Sequence, residues 1–283
     1  MVDVDAGSFL VIVVVAAAAA LAAGALGRHL VVPVVVLELL LGVVIGPEVL
    51  GLARSDAFID FFANLGLAML FFFAGYEIDL QRIRGLPLRL AVIGWVLSLA
   101  LAYASTGLLE LAGVVASFLF AGSAMATTAI GTLLPILRDA GELRTRFGTF
   151  LLAGGAVGEF GPILIVTLAF STRSALANAG VLAAFVALAV AAGVVAVRWM
   201  GRGWPLLERT LESSGQAAIR VTVVTVFALV ALALEMGLDV LLGGFVAGVI
   251  LRAALRDREV TVLESKLTAV GYGFLIPFFF VVS

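Results

Sequence analysis

Ten predominantly apolar runs, most of them long enough to cross a lipid bilayer as helices, constrain this chain more than any other feature. They fall at about Ser8–Leu26, Leu30–Gly46, Ala57–Tyr76, Leu86–Leu108, Val114–Leu137, Phe147–Phe170, Ala175–Trp199, Val221–Leu238, Val240–Ala254 and Leu267–Ser283. A crossing helix needs about 20 apolar residues to span roughly 30 Å of hydrocarbon. Several runs are rich in β-branched residues, but they are too long and too uniformly apolar for strands. Backbone groups in lipid must be satisfied internally, so helices are the form expected. The reading is an all-α polytopic membrane protein with about ten transmembrane helices.

Composition agrees. Hydrophobic residues make up 63% of the 283 and charged residues 13%, against about 25% charged in soluble domains. A net charge of −2 gives no basic field for a nucleic acid. There is no cysteine and only one histidine, His29, so no thiolate or His-rich metal site is expected, and no cofactor. The acidic start, Met1-Val2-Asp3-Val4-Asp5, lacks the positive charge of a signal peptide, so the first run is read as a true span.

Orientation follows from the placement of Lys and Arg. With the N-terminus outside, the inward loops hold Arg28, Arg82, Arg84, Arg89, Arg138, Arg144, Arg146, Arg198, Arg202, Arg209, Arg220, Arg252, Arg256, Arg258 and Lys266. Only Arg54 and Arg173 then face outward. A wrong span count would scramble this asymmetry. The polar stretch at about Gly201–Arg220 is expected to be an interfacial helix or linker on the cytoplasmic side. The last run closes with Pro277-Phe278-Phe279-Phe280-Val281-Val282-Ser283 and no charged flank, which predicts a piece of a longer transporter.

Most carboxylates sit in loops or near span ends, but two sit mid-span. Glu159 is the thirteenth residue of its 24-residue run, about 18 Å from the inner end. Glu38 is the ninth residue of a 17-residue run. A charge at the bilayer centre costs at least about 2.5–3.5 kcal/mol, and such residues usually mark ion or proton pathways. The bland alternative for each is a protonated structural carboxylate bonded to a neighbouring helix. Surroundings separate the two. Glu159 lies in Gly154-Gly155-Ala156-Val157-Gly158-Glu159-Phe160-Gly161-Pro162, where Pro162 cannot donate to the carbonyl of Gly158. Glu38 has bulky neighbours from Val34 to Leu41 and reads more as a helix–helix tie, kept as a possible secondary carboxylate.

The fifth run carries Gly122-Ser123-Ala124-Met125-Ala126-Thr127-Thr128-Ala129-Ile130-Gly131 and then Pro135. Small and hydroxyl residues between Gly and Pro suit a broken helix whose freed backbone groups bind an ion. Ordinary small-residue packing, with Thr bonding back to its own helix, is the competing reading. The similar depth of Thr127, Thr128 and Glu159 on consecutive spans favours the first. A carboxylate at that depth can be neutralised by a proton or by a cation, so competition at one site exchanges them. Hydroxyls and carbonyls suit a hard monovalent cation. An organic-anion transporter would be expected to place a basic residue or a helix N-terminus at the midplane, and no Lys or Arg lies there. A channel or sensor of the same fold stays open. A membrane enzyme would need a His or Asp constellation that the spans lack.

The order of motifs resembles one family. The second run has Pro33, Glu38-Leu39-Leu40-Leu41-Gly42, Ile45-Gly46-Pro47 and Val49-Leu50-Gly51. The third ends Phe73-Ala74-Gly75-Tyr76-Glu77-Ile78-Asp79-Leu80, and the ninth has Gly243-Gly244-Phe245-Val246-Ala247-Gly248-Val249. Together with the fifth, sixth and tenth runs, these resemble the membrane domain of the Kef-type branch of monovalent cation:proton antiporters. The resemblance covers essentially the whole chain. It implies a sodium/hydrogen exchanger-like fold of two inverted repeats. The first would fall at about residues 1–170, a linking span and cytoplasmic linker at 175–220, and an incomplete second repeat at 221–283. It further implies a homodimer in the cell membrane, Na⁺ or K⁺ and protons as substrates, Glu159 as the shared proton and cation site, and Thr127 and Thr128 on the broken helix beside it. The family's sixth-span carboxylate follows an Asp, Asn or Gln; here Gly158 stands in that place.

Overall fold

A computed structural model describes residues 5–26, 32–170, 175–210, 213, 215–255 and 260–283. His29 and the loop charges Asp3, Arg28, Arg173, Glu212, Arg256, Asp257, Arg258 and Glu259 lie outside the described residues. The described chain is helical: α1 Ala6–Leu26, α2 Val34–Ile45, α3 Ala57–Glu77, α4 Leu80–Ile83, α5 Leu86–Leu111, α6 Phe118–Met125, α7 Ile130–Asp139, α8 Arg146–Phe170, α9 Ala175–Arg209, α10 Ala217–Glu235, α11 Val240–Ala254, α12 Thr261–Val270 and α13 Ile276–Val282.

Seven helical stretches are long and apolar enough to cross a membrane by length and composition, with α6–α7 and α12–α13 each counted as one. The sixth expected span is the 25-residue α8. The second and ninth are the shorter apolar helices α2 and α11. The chain is an integral, multi-pass, all-α membrane protein.

Several boundaries differ from expectation, each for a local reason. The second span begins after Pro33 and stops at Ile45, because Gly46 is extended at ψ 170 before Pro47. A residue preceding proline is pushed out of the helical region. The fifth span starts at Phe118 rather than Val114: Glu110 Oε2 accepts from Phe118 N at 3.1 Å and Ser117 Oγ from Phe120 N at 3.4 Å. These caps satisfy donors that the helix start leaves open. The polar stretch from Gly201 is helical through Arg209, as the end of the 35-residue α9. In the tenth span Ile276 N donates to Gly271 O, an i→i−5 bond that opens a π-turn over Gly271–Leu275 just before Pro277. The wider turn accommodates a proline that has no N–H to give.

Packing gathers the described residues into two compact units, one from Met1–Tyr76 and Ala189–Ser283, the other from Glu77–Leu188. In the first unit α1, α2 and α13 pack on one another, and α10 packs on α11 and α12. Phe9, Phe62 and Phe278 form a ring cluster, with centroids 5.2 to 5.6 Å apart. Gly244 and Gly248 of α11 lie against the carbonyls of Ala68 and Phe72 on α3, where a Cβ would collide. Membrane helices use such small-residue pairs, four apart, to bring backbones together.

The N-terminal ends of α1 and α3 are clasped by two carboxylates. Asp5 accepts from Gly7 N, Ser8 N and Ser8 Oγ at 3.0, 3.1 and 2.6 Å. Asp56 accepts from Asp5 N at 2.9 Å and from Phe58 N and Ile59 N at 2.8 and 2.7 Å. The Ser8 hydroxyl and N–H hold the Asp5 carboxyl below its ordinary value of 3.8, and the N–H groups of Asp5 and Ile59 do the same for Asp56. A carboxylate depressed in the fold contributes stability above its unfolded pKa and loses it as pH falls through the folded value. The clasp is therefore expected to be fully made at neutral pH and to open below the ordinary carboxylate range. Hydrogen exchange at Phe58 and Ile59 checks this: protection should drop on acidification in the parent and be low at every pH in Asp56→Ala.

In the second unit α5 packs on α6 and α8, α4 on α5 and α8, and both α6 and α7 on α8. The helix bearing Glu159 is thus surrounded by the two halves of the broken span and by α5. The Trp95 ring of α5 lies over Gly161, where a Cβ would collide with the indole.

The broken helix and Glu159

The fifth span is interrupted where the sequence predicts. α6 ends at Met125, α7 begins at Ile130, and residues 126–129 are non-helical. The turn at the end of α6 is tightened by Ala126 N donating to Gly122 O at 3.0 Å and Thr127 N to Ala124 O at 3.3 Å. Among the described residues no donor reaches the carbonyls of Ala126, Thr127 or Thr128. Thr127, Thr128 and Ala129 are exposed.

Three hydrogen bonds fasten this break to α8. Ile130 N donates to Glu159 Oε2 at 2.6 Å. Thr128 N donates to Gly158 O at 3.1 Å, and Thr128 Oγ1 donates to Gly155 O at 3.1 Å. The sequence explains the second bond. Pro162 has no N–H to return to the Gly158 carbonyl, so that acceptor is left over inside α8 and the break supplies its donor. Gly158 also explains how Thr128 comes so close, because a Cβ there would overlap the threonine's hydroxyl and methyl groups.

Glu159 is the side chain that caps α7. It is half-buried, fourteenth in the 25 residues of α8, about 20 Å from the helix start. The α7 N-cap, Ala129, makes no side-chain cap of its own. A carboxylate at a helix N-terminus meets both an open N–H and the positive end of the macrodipole. The expectation from sequence was of freed hydroxyls and carbonyls beside the carboxylate. The structure adds a donor, the Ile130 amide.

The two threonines part company. Thr128 crosses to α8, whereas Thr127 Oγ1 turns back to Ser123 O of its own helix at 3.3 Å. Glu38 lies in the first unit, fifth in α2 and 4% exposed. It shares a buried stripe with Val35, Gly42 and Ile45. Gly42 on that stripe abuts the Val281 carbonyl of α13. Sequence reasoning passed over Gly158 as a seat for Thr128. The four-residue spacing from Gly158 to Pro162 was the available signal, since it marks a carbonyl that must find a donor elsewhere.

The first half of the broken span, α6, is held by hydroxyls. Tyr103 OH and Ser123 Oγ are 2.9 Å apart, and Thr106 Oγ1 donates to Phe118 O at 3.0 Å. The far end of α7 is held by an ion pair, Arg138 Nη2 to Glu77 Oε1 at 3.1 Å, with both side chains largely buried.

The family profile described as sodium/hydrogen exchanger, transmembrane, matches residues 11–283. The chain belongs to the sodium/hydrogen exchanger family. Among curated relatives, the probable Na⁺/H⁺ antiporter GerT of Bacillus cereus is 29% identical over 265 residues, covering 92% of this chain and 68% of that protein. The Na⁺/H⁺–K⁺ antiporter GerN of the same organism is 29% identical over 267 residues, 92% of this chain and 66% of GerN. The probable Na⁺/H⁺ antiporter 3 of Methanocaldococcus jannaschii is 24% identical over 256 residues, 89% of this chain and 64% of that protein. The chain thus spans about two thirds of the length of these relatives.

Proposed function

We propose that this chain exchanges a monovalent cation, Na⁺ or K⁺, for protons, with Glu159 as the site at which the two compete. The observation that carries the site is the 2.6 Å bond from Ile130 N to Glu159 Oε2, which joins a mid-span carboxylate to a helix break. The substrates follow from the family and from the Na⁺/H⁺ and Na⁺/H⁺–K⁺ antiporters that the chain resembles.

In this reading the carboxylate is neutralised either by a proton or by a cation. The carboxylate oxygens and the carbonyls of Ala126, Thr127 and Thr128 are hard oxygen donors suited to an alkali cation. The Ile130 N–H bonds the ionised carboxylate more strongly than the protonated one, as charge-assisted bonds do. It keeps the carboxylate oriented in both states. Thr128 has a positioning role, holding the break on α8. Thr127 contributes its carbonyl. Glu38 is a tie between packed helices in the first unit. Alternate opening of the site to the two faces of the membrane then exchanges one species for the other. A single carboxylate at the site makes the exchange one-for-one and electroneutral. A homodimer belongs to this reading through the family resemblance.

The test is dissipation of an imposed pH gradient in proteoliposomes on addition of Na⁺, K⁺ or Li⁺. The expected result is a saturable response to Na⁺ or K⁺ that is insensitive to membrane potential. A response that follows the potential would defeat the one-for-one stoichiometry, and no response to any of the three cations would defeat the exchange itself.

A further inference from the structure

We propose that a pocket between the start of α5 and the start of α8 binds a phosphate group. The pocket has a volume of about 410 Å³ and is lined by Arg82, Arg144 and Arg146 together with Thr149, Pro87 and Phe150. It lies wholly within the second unit, at the end of α8 opposite its outer terminus. The Lys and Arg asymmetry assigns that end to the cytoplasm.

Inward-facing arginines ordinarily do no more than set topology, but these three converge on a concavity. Arg82 is partly neutralised by Asp79, at 3.4 Å. Its Nη1 also donates to the Arg144 carbonyl at 3.4 Å, which holds the α4 and α8 sides of the pocket together. Glu142 is the other carboxylate close by, and it accepts the Thr145 hydroxyl at 2.6 Å. Among the described residues no carboxylate pairs with Arg144 or Arg146. Both are exposed. A phosphate bridging them gains charge-assisted, forked hydrogen bonds that water matches poorly. The α8 N-terminus adds the positive end of a 25-residue helix on the same side.

The opposite wall is apolar. Leu86 also lines the pocket and is 56% exposed, and Leu90 and Ile93, one and two turns further on, continue that exposed apolar face along α5. A cationic mouth beside a lipid-facing wall suits a phosphate that carries an apolar body. The shared chemistry is the phosphate anion, and its two sources are an anionic phospholipid headgroup and a free phosphate-bearing solute. Either would clamp α4 and α5 to the first turn of the helix that carries Glu159.

The experiment reads binding by thermal unfolding of the whole chain in detergent, so it stands whether or not exchange is detected. One arm titrates inorganic phosphate against sodium chloride at matched ionic strength. The other titrates a short-chain phosphatidylglycerol against phosphatidylcholine. The parent is compared with Arg144→Gln/Arg146→Gln and with Arg84→Gln/Arg89→Gln, which alters two inward arginines outside the pocket. The expected result is a rise in melting temperature for the parent and the Arg84/Arg89 variant. In the pocket variant that rise is absent, or its apparent binding constant is weakened about tenfold or more. A shift in the phosphate arm assigns a solute, and a shift in the phosphatidylglycerol arm alone assigns a lipid headgroup. No shift in either arm, or equal shifts in all three proteins, overturns the site. If the pocket variant shows no folding transition, Arg82→Gln is read by the same criteria.

Discussion

Glu159→Gln is expected to reduce cation-driven proton flux in proteoliposomes to the level of empty vesicles while leaving the protein folded. The two halves of this expectation come from different atoms. A glutamine cannot cycle between a proton and a cation, so the exchange step is lost. Its amide oxygen can still accept from Ile130 N, the bond now made by Oε2 at 2.6 Å. The cap on α7 therefore survives, at the cost of a charge–dipole contribution of about 0.3–1 kcal/mol. Glu159→Ala removes the acceptor as well and is expected to cost about 1 kcal/mol or more. Flux should vanish in both variants, with melting lowered more in the alanine. Parent-like flux in Glu159→Gln would remove Glu159 from the coupling site and leave Glu38 as the next carboxylate to test.

The second large effect is expected at Gly158. Gly158→Asp supplies one of the residues, Asp, Asn or Gln, that the resemblance implies before the sixth-span carboxylate, yet it should abolish exchange here rather than improve it. Any Cβ at this position overlaps the hydroxyl and methyl of Thr128. The break must then leave α8, which gives up the Thr128 N to Gly158 O bond at 3.1 Å and displaces the Ile130 amide from Glu159. Overpacking of a close contact costs about 1–3 kcal/mol. Gly158→Ala should show the stability loss in milder form. Thr128→Gly vacates the space, so the Gly158→Ala/Thr128→Gly pair should be less destabilised than the sum of the single variants. Residues in contact couple in this way and distant ones add. Strict additivity in that cycle would show that Gly158 is not the seat of Thr128.

These two residues illustrate how unevenly the site was legible. Glu159 stood out because a charged side chain in the middle of a long apolar run is costly, and only a few roles justify it. The break stood out because Gly122, Thr127, Thr128 and Pro135 together disfavour a continuous apolar helix. Both signals are local. The partner of the carboxylate was not legible, because it is a backbone amide and every residue but proline has one. Gly158 read as an omission from a family pair. Its physical role, making room for a threonine from the preceding span, needed the distance between the spans. The glycines at 244 and 248 are similar: in the sequence they are part of a family-like motif, and only the fold shows that they meet the carbonyls of Ala68 and Phe72.

What the sequence determined by itself was the helical, membrane-spanning form of the chain, and which carboxylates stand in the middle of its apolar runs. Hydrophobic run length and the need to satisfy backbone groups in lipid are properties of consecutive residues, so they can be read along one dimension. It also set the local stops, such as Ile45 before Pro47, because proline restricts the residue before it wherever it occurs. Tertiary structure decided which donor each freed acceptor meets. Pro162 only guarantees that the Gly158 carbonyl is left over. That Thr128 fills it, and that Ile130 then faces Glu159, depends on how α7 and α8 pack, because a hydrogen bond between spans is a matter of three-dimensional distance.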